Sequence, residues 1–198
     1  MSQIILASSS PYRKQLLERL GLPFSTHSPN IDETPLPNEQ PVDLALRLAK
    51  QKAQVVAHQY PGQLVIGSDQ VATHQGKALG KAGSFDKAHA QLSQLSGQTI
   101  EFHTALCVTD GKQQQYANVM TVCEFRQLSA AEITHYLEQD KPWDTAGSAK
   151  AESLGIALME RLCSDDPTAI IGLPLIELSR MLRVFGINPL LPTGVPHE

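Results

Sequence analysis

Hydrophobic and polar positions follow two different periods along the chain, and each period predicts a different kind of element. The stretch from Leu64 to Thr73, LVIGSDQVAT, is apolar on both sides of its centre and is typical of a strand buried on both faces. The stretch that begins at Pro41 repeats its apolar residues every three or four positions, which is typical of a helix with one buried face. Similar patterns, with their capping and turn residues, predict the remaining elements: strands at 3–7 and 155–163 and on both sides of a turn at 110–111, and helices at 11–21, 41–60, 84–97, 129–139 and 174–186.

The order of these elements predicts an α/β fold. Strands alternate with helices, which favours a twisted sheet flanked by helices, and the hairpin at 110–111 adds antiparallel strands, so we expect the sheet to be mixed. No internal repeat and no low-complexity linker divides the sequence. We therefore expect a single domain over residues 1–192 and a disordered C-terminal tail over residues 193–198.

Composition and charge argue against binding to a nucleic-acid polymer or to a membrane. The 198 residues carry a formal net charge of −4, so there is no excess of cations to release counterions from a polyanion. No apolar run approaches the length of a membrane span, and the first residues lack the pattern of a signal peptide. Cys107, Cys123 and Cys163 have no C-x-x-C spacing and are interpreted as buried thiols in a reducing compartment. We therefore expect a cytoplasmic protein.

Three charged residues fall at positions where the pattern predicts burial. Asp69 lies in the middle of the Leu64–Thr73 strand, although a buried carboxylate without a partner is costly. Lys52 falls in the middle of the apolar arc of the 41–60 helix, where the simplest interpretation is a stem that covers apolar surface while the ammonium reaches water. Arg13 lies on the apolar face of the first helix, in a turn where a cation opposes the helix dipole unless an anion joins it.

Other polar residues strengthen the prediction of an anion site. Ser8, Ser9 and Ser10 separate the first strand from a helix N-terminus, an arrangement that can bind phosphate, although a serine there can also simply cap the helix. Glu33 lies on a polar loop, where the alternative to a role in the site is a carboxylate that is simply exposed to solvent. Lys81 lies in a glycine-rich turn, where a side chain or the backbone can approach a ligand closely. Together these residues favour a polyphosphate held with a divalent metal, because Mg²⁺ binds one or two carboxylates plus phosphate oxygens.

Seven motifs of the sequence resemble those of the Maf family of nucleoside triphosphate pyrophosphatases, in the same order. The motifs are ILASSSPYRKQLLERLG, NIDET, LRLAKQKA, VIGSDQV, the pair Gly80–Lys81, AGSAKAESLGI and IIGLPL, and the resemblance covers residues 4–192. It implies a fold like that of inosine triphosphatase, with two lobes around a deep nucleotide-binding cleft. It also implies hydrolysis of a nucleoside triphosphate to the monophosphate and diphosphate, a divalent cation (Mg²⁺, Mn²⁺ or Co²⁺) and a possible homodimer.

The resemblance assigns roles to the residues that match the family's motifs. Asp69 is similar to the family's catalytic acidic residue, and Glu33 is similar to its acidic partner, both near the metal. Asp69 would either activate the attacking water or ligate the metal, and the sequence leaves these two roles open. The remaining matches are the catalytic and phosphate-binding cations and the hydroxyl-bearing loop: Lys52, Arg13 and Lys81, with Ser8, Ser9 and Ser10.

Three further positions distinguish branches of the family by the base they accept. Tyr12, Gln70 and Glu152 resemble the branch that acts on 7-methyl-GTP. An aromatic ring at Tyr12 would attract a methylated, cationic guanine, and a carboxylate at Glu152 would accept hydrogen bonds from the N–H edge of guanine while repelling the carbonyls of uracil or thymine. The alternatives are that Tyr12 only packs at a helix start and that Glu152 is a solvated loop charge. Ala82 and Ala149 depart from the family's proline and phenylalanine, which bears on selectivity.

Two other functions remain open from the sequence. A nucleotide-binding regulator of cell division would need the cleft but not the complete acidic pair, so the pair favours turnover. A pyrophosphatase for other modified nucleotides would keep the chemistry and change only the base pocket.

Overall fold

The computed structural model describes residues 3–191, and the predicted tail over residues 193–198 lies outside them. Its centre is a seven-stranded sheet in the order β2-β1-β3-β5-β6-β7, with β4 paired to β3. β1 runs parallel to β2 and β3, and all other pairs are antiparallel. The predicted α/β class with a mixed sheet is therefore confirmed. The strands are β1 (Ile4–Ala7), β2 (Phe24–Thr26), β3 (Leu64–His74), β4 (Lys77–Leu79), β5 (Thr99–Thr109), β6 (Gln114–Phe125) and β7 (Met159–Ser164).

Five α-helices flank the sheet, and their ends follow local rules of the sequence. Proline at the first position fixes the backbone at the start of α1 and α2, and a capping box of Ser129 and Glu132 begins α4, as the sequence predicts. The helices are α1 (Pro11–Glu18), α2 (Pro41–Gln59), α3 (Phe85–Leu95), α4 (Ala130–Asp140) and α5 (Leu175–Val184), and two 3-10 turns cover Leu154–Leu158 and Ala169–Ile171.

The strand predicted at 155–163 is wrong in its first half. The chain forms a 3-10 turn at Leu154–Leu158 and becomes a strand only at Met159. Gly155 explains the turn, because a Cβ there would lie 2.5 Å from the carbonyl oxygen of Lys150, so the chain folds back on itself too closely for any side chain. The three-residue strands β2 and β4 are also additions to the prediction.

One of the three cysteine predictions is wrong as well. Cys107 and Cys123 are buried, and burial raises the pKa of their thiols to about 11 and about 12. Cys163 is exposed instead, because β7 lies at the edge of the sheet and alternates its side chains between core and solvent.

Hydrophobic cores form at both ends of the long β5–β6 hairpin, which gives the molecule two lobes. In one lobe, α3 and α4 cover the hairpin around Phe102 and Phe125. In the other lobe, α1 and α5 pack on the face that includes Leu106, and α2 packs on the opposite face, which includes Cys107. Within residues 3–191, no helix is both long enough and apolar enough to cross a membrane.

A glycine brings α2 unusually close to β3. A Cβ at Gly67 would collide with the carbonyl oxygen of Ala49 and lie 2.7 Å from the amide nitrogen of Ala53. The backbone of the strand therefore touches the backbone of the helix at this point. Because Lys52 is one residue before Ala53 and Asp69 is two residues after Gly67, this contact places the two charged residues side by side.

Candidate active site

A gap in strand pairing opens the sheet beside Asp69. β1 pairs with β3 as far as Gly67, and β4 begins to pair with β3 at Ala72. In the described part of the chain, no strand pairs with residues 68–71 on that edge, although β5 pairs with them on the other edge. Asp69 is therefore held rigidly by β5 while its open side faces the loop that follows β1.

This gap lies in a cleft with a volume of about 360 Å³. Small-molecule sites in proteins commonly have volumes of about 300–1,000 Å³. The structure brings together along this cleft every residue that the sequence nominated for the site: Ser8, Ser9, Ser10, Tyr12, Arg13, Glu33, Lys52, Asp69, Gln70, Lys81 and Glu152. Their common location is observed, whereas their individual roles stay predictions.

One ammonium joins the two carboxylates of the cleft. Lys52 Nζ donates to Asp69 Oδ1 over 2.6 Å and lies 2.7 Å from Glu33 Oε1. The side chains of Lys52 and Asp69 are 8% and 10% exposed, whereas that of Glu33 is 54% exposed. Burial raises the pKa of Glu33, but the hydrogen bond and charge of Lys52, together with the charges of Lys81 and Arg13, outweigh that effect, and the pKa lies below its ordinary value. Lys52 thus reaches a buried partner, and its ammonium does not extend to water.

Arg13 projects into the same end of the cleft from the start of α1. Its Nε donates to the carbonyl oxygen of Gly172 over 2.8 Å, and Ser68 Oγ donates to the same oxygen over 2.9 Å. Burial lowers the pKa of Arg13 while Asp69 and Glu33 raise it, and a guanidinium remains charged throughout the normal pH range. Within residues 3–191, no hydrogen bond is made by its two terminal nitrogens, so these can bind an anion.

The serine loop both caps α1 and lines the cleft. The amide of Arg13 donates to Ser10 Oγ over 3.4 Å, and the amide of Ser10 donates to Ser8 Oγ over 3.1 Å. The sequence allowed the serines either to bind an anion or to cap the helix. Ser10 does cap the helix, and the loop still lines the cleft, so both interpretations are compatible. Lys81 approaches from the other lobe, where its backbone forms a bridge with Ala146, and its charge lowers the pKa of Glu33. One end of the cleft is therefore rich in cations and hydroxyl groups.

Gln70 lies on the opposite face of β3 from Asp69, since successive side chains alternate. Its Nε2 donates to Thr104 Oγ1 over 2.9 Å and to the carbonyl oxygens of Ala169 and Ile170 over 3.0 Å each. These contacts fix the amide group with its nitrogen turned towards the protein. In residues 3–191, its carbonyl oxygen accepts no hydrogen bond and is left for a ligand.

The segment from Asp166 to Gly172 holds both Arg13 and Gln70. Its last three residues begin the IIGLPL motif, but its role in the site was not predicted from the sequence. Asp166 is buried and accepts hydrogen bonds from the amides of Ile176, over 2.6 Å, and Thr168, over 3.0 Å. It therefore anchors the segment to the N-terminus of α5. No local signal separates this aspartate from a solvated residue in the sequence SDDPT.

Two residues near Tyr12 were not predicted from the sequence. Lys150 Nζ lies 5.7 Å from the centroid of the Tyr12 ring and 3.6 Å from Asp144 Oδ1. Asp144 lines the cleft beside Tyr12 and Glu152. The one available signal was that Lys150 interrupts a run of small residues, AGSAKA.

The cleft could hold a metal ion only if a bound ligand supplied some of the coordinating oxygens. Within residues 3–191, no group of three or more His, Cys, Asp or Glu side chains could hold a metal ion. Asp69 and Glu33 each use one oxygen on Lys52, and in these residues their second oxygens make no hydrogen bond. Two carboxylates completed by phosphate oxygens suit Mg²⁺, so the residues present fit such an ion.

The family model and two named relatives agree on one family. The family model described as Maf-like protein matches residues 3–185. A protein of Bordetella pertussis named 7-methyl-GTP pyrophosphatase is 59% identical over 98% of this chain and 96% of its own length. A protein of the same name from Ralstonia nicotianae is 58% identical over 91% and 94%. The solved structure of the Staphylococcus aureus Ham1 protein is more distant, with a TM-score of 0.46 and 12% identity over 64% of this chain and 73% of that one. By the family model and these relatives, the chain belongs to the Maf family.

Proposed function

We propose that this protein is a nucleoside triphosphate pyrophosphatase that hydrolyses 7-methyl-GTP to 7-methyl-GMP and diphosphate. The observation that carries the proposal is the shared ammonium of Lys52, which holds Asp69 and Glu33 together in a cleft that Arg13 and Lys81 also line. Relatives that are 58–59% identical to this chain are named for this activity.

The phosphate end of the cleft suits the charge of the reaction. When water attacks the α-phosphorus and diphosphate leaves, negative charge develops on phosphoryl oxygens, and fixed cations stabilise that charge more in the transition state than in the ground state. Arg13 is pre-oriented by Gly172, and Lys52 by its two carboxylates. These cations therefore need little reorganisation during the reaction.

Asp69 is our candidate for the group that positions the attacking water. Its Oδ1 is fixed by Lys52, and its strand is fixed by β5, so its second oxygen has a defined place. A divalent cation (Mg²⁺, Mn²⁺ or Co²⁺) held by Asp69 and Glu33 would add Lewis-acid stabilisation of the phosphates. The two roles for Asp69 that the sequence left open, water activation and metal binding, both use this second oxygen.

The other end of the cleft suits a guanine base. Glu152 offers an acceptor to the N–H edge of guanine, Tyr12 offers an aromatic face, and the free carbonyl oxygen of Gln70 offers a second acceptor. Ala149 is buried in the core of the α3–α4 lobe and also lines the cleft. An alanine here leaves more room for the base than the family's phenylalanine would.

The test is diphosphate release from a panel of nucleoside triphosphates that includes 7-methyl-GTP, GTP, dTTP and UTP, with and without Mg²⁺ or Mn²⁺. We expect metal-dependent release of diphosphate, not orthophosphate, with 7-methyl-GTP the best substrate. Asp69→Asn is the matched variant, because it keeps the size of the side chain and should fold while losing turnover.

Each outcome separates the alternatives. Turnover of another base would retain the mechanism and reject the substrate. Tight binding of nucleotides without any release of diphosphate would reject the enzyme and favour a nucleotide-binding regulator. Near-normal turnover by Asp69→Asn would reject the role of Asp69.

A further inference from the structure

The base end of the cleft already stabilises a positive charge of the protein itself. The ammonium of Lys150 lies over the Tyr12 ring, 5.7 Å from its centroid, which is within the range of a cation–π contact. The same ammonium donates to the carbonyl oxygen of Asp140 over 3.1 Å and lies 3.6 Å from Asp144 Oδ1. The side chain is largely buried, so these groups replace most of its hydration.

The surroundings of Lys150 compensate for its burial. Burial alone lowers the pKa of this ammonium, but Tyr12, Asp144 and Glu152 outweigh that effect, and the pKa lies above its ordinary value. The carboxylates of Asp144 and Glu152 outnumber this one ammonium, so this end of the cleft keeps an excess of negative charge, which attracts a second cation in spite of the repulsion from Lys150.

Carboxylates outnumber cations at this end. Burial raises the pKa of Glu152, and the charges of Asp140 and Asp144 raise it further, while a hydrogen bond from its own backbone amide and the charge of Lys150 lower it, and the pKa lies above its ordinary value. Among the charged side chains that act on Glu152, two are carboxylates and one is an ammonium. The phosphate end has the reverse balance, because Arg13, Lys52 and Lys81 surround Asp69 and Glu33.

Of these carboxylates, Asp144 is the one that can meet a ligand in addition to Glu152, because within residues 3–191 only its Oδ1 is engaged, by Lys150 Nζ over 3.6 Å and by Thr145 Oγ1 over 3.5 Å. Asp140 is occupied in the fold, since its Oδ2 accepts from Ser153 Oγ over 2.7 Å and from the amide of Gly155 over 3.1 Å. Asp144 lines the cleft, and its side chain is 65% exposed.

We propose that Asp144 is a specificity-determining residue which, with Glu152 and Tyr12, selects a positive charge on the base and does not select a methyl group. The substrate class is then nucleoside triphosphates whose guanine ring is made cationic by alkylation at N7, whatever the alkyl group. This inference rests on the proposed function, and it adds a residue and a criterion that the activity alone does not require.

Three nucleotides separate charge from shape. They are 7-methyl-GTP, 7-ethyl-GTP, which keeps the charge and enlarges the alkyl group, and 7-deaza-7-methyl-GTP, in which a carbon replaces N7 and the ring is neutral. Assays slightly below neutral pH keep N1 protonated and the alkylated rings cationic. We expect kcat/KM for 7-ethyl-GTP to stay within about fivefold of that for 7-methyl-GTP, and kcat/KM for the neutral isostere to be about tenfold lower, the scale of a cation–π contact.

The variant Asp144→Asn tests the residue. Because this carboxylate is exposed, we expect its loss to lower the ratio of kcat/KM between 7-methyl-GTP and the neutral isostere about three- to fivefold, mainly through KM, with an unchanged unfolding temperature. Glu138→Gln is the matched control, since it removes an equal charge from an exposed position of α4 outside the cleft and should leave the ratio unchanged.

The outcomes test the selection of charge separately from the proposed pyrophosphatase function. Equal turnover of 7-methyl-GTP and its neutral isostere would overturn the selection of charge and leave the pyrophosphatase activity standing. An unchanged ratio in Asp144→Asn would overturn the role of Asp144. Failure of the wild-type protein to hydrolyse 7-methyl-GTP would overturn both proposals.

Discussion

Replacing Lys52 with methionine should separate the cost of an unpaired carboxylate from the loss of catalysis. Removing one partner of a fully buried ion pair costs about 3–5 kcal/mol. Asp69 is 10% exposed but borders an open cleft, and Glu33 is 54% exposed, so water can reach both after the change. We therefore expect a loss of about 2 kcal/mol, which for a chain of this size lowers the unfolding temperature by about 4–8 °C. Loss of a preorganised cation should lower kcat by about 10²–10³-fold.

The assay pairs thermal unfolding with diphosphate release at saturating substrate, and a double variant makes it decisive. Combining Lys52→Met with Asp69→Asn removes the carboxylate charge that Lys52→Met leaves unpaired. The double variant should therefore recover part of the lost stability and none of the activity. Lys87→Met, an exposed lysine on α3 outside the cleft, controls for the loss of a positive charge. The reasoning is refuted if Lys52→Met keeps kcat within threefold of wild type, or if the double variant unfolds at no higher temperature than Lys52→Met.

Three further substitutions test the supporting structure. Gly67→Ala forces α2 away from β3 and should lower the free energy of unfolding in denaturant by about 1–3 kcal/mol, whereas Gly80→Ala, whose Cβ would meet no atom within 4 Å, should be neutral. Asp166→Ala leaves the amide of Ile176 without its partner and should cost about 1–3 kcal/mol in the same measurement, with a raised KM because the segment that orients the cleft loosens. Glu33 has a pKa below its ordinary value of 4.5 when folded, so its stabilising contribution is present above pH 4.5 and is lost as the pH falls through the folded value. The difference in unfolding temperature between wild type and Glu33→Gln should therefore shrink on acidification, and a difference that grows would contradict the ion pair.

The residues at the phosphate end of the cleft could be predicted because the signal for each of them lies in its own stretch of sequence. A charge inside an apolar pattern can be seen without knowing the fold, as with Asp69 in its strand and Lys52 in the arc of its helix. The structure accounts for both residues through one contact, since the buried lysine and the buried aspartate are partners over 2.6 Å. The sequence could not show that partnership, because it depends on the approach of two backbones at Gly67.

The parts that the sequence missed are those whose partners are remote. Asp166 matters because it anchors the segment whose carbonyl groups bind Arg13 and Gln70, 159 and 100 residues away along the chain. Lys150 matters because of Tyr12 on α1, more than a hundred residues away. A three-residue strand such as β2 has too few positions for a period to be recognised, and it exists because β1 offers it a parallel edge. In each case the missing information is tertiary.

The alternation of β3 explains how one strand can serve both ends of the cleft. Asp69 points to the α2 face, where it meets Lys52, and Gln70 points to the opposite face, where it meets the carbonyl oxygens of Ala169 and Ile170. Because side chains alternate along a strand, a register slip of one residue would exchange these faces and move the carboxylate away from its ammonium. The register is held by β5 along nine consecutive pairs, from Val65 to Thr73, including the stretch where the other edge is open. The sheet can therefore leave a gap for substrate on one edge of β3 because the other edge fixes the strand.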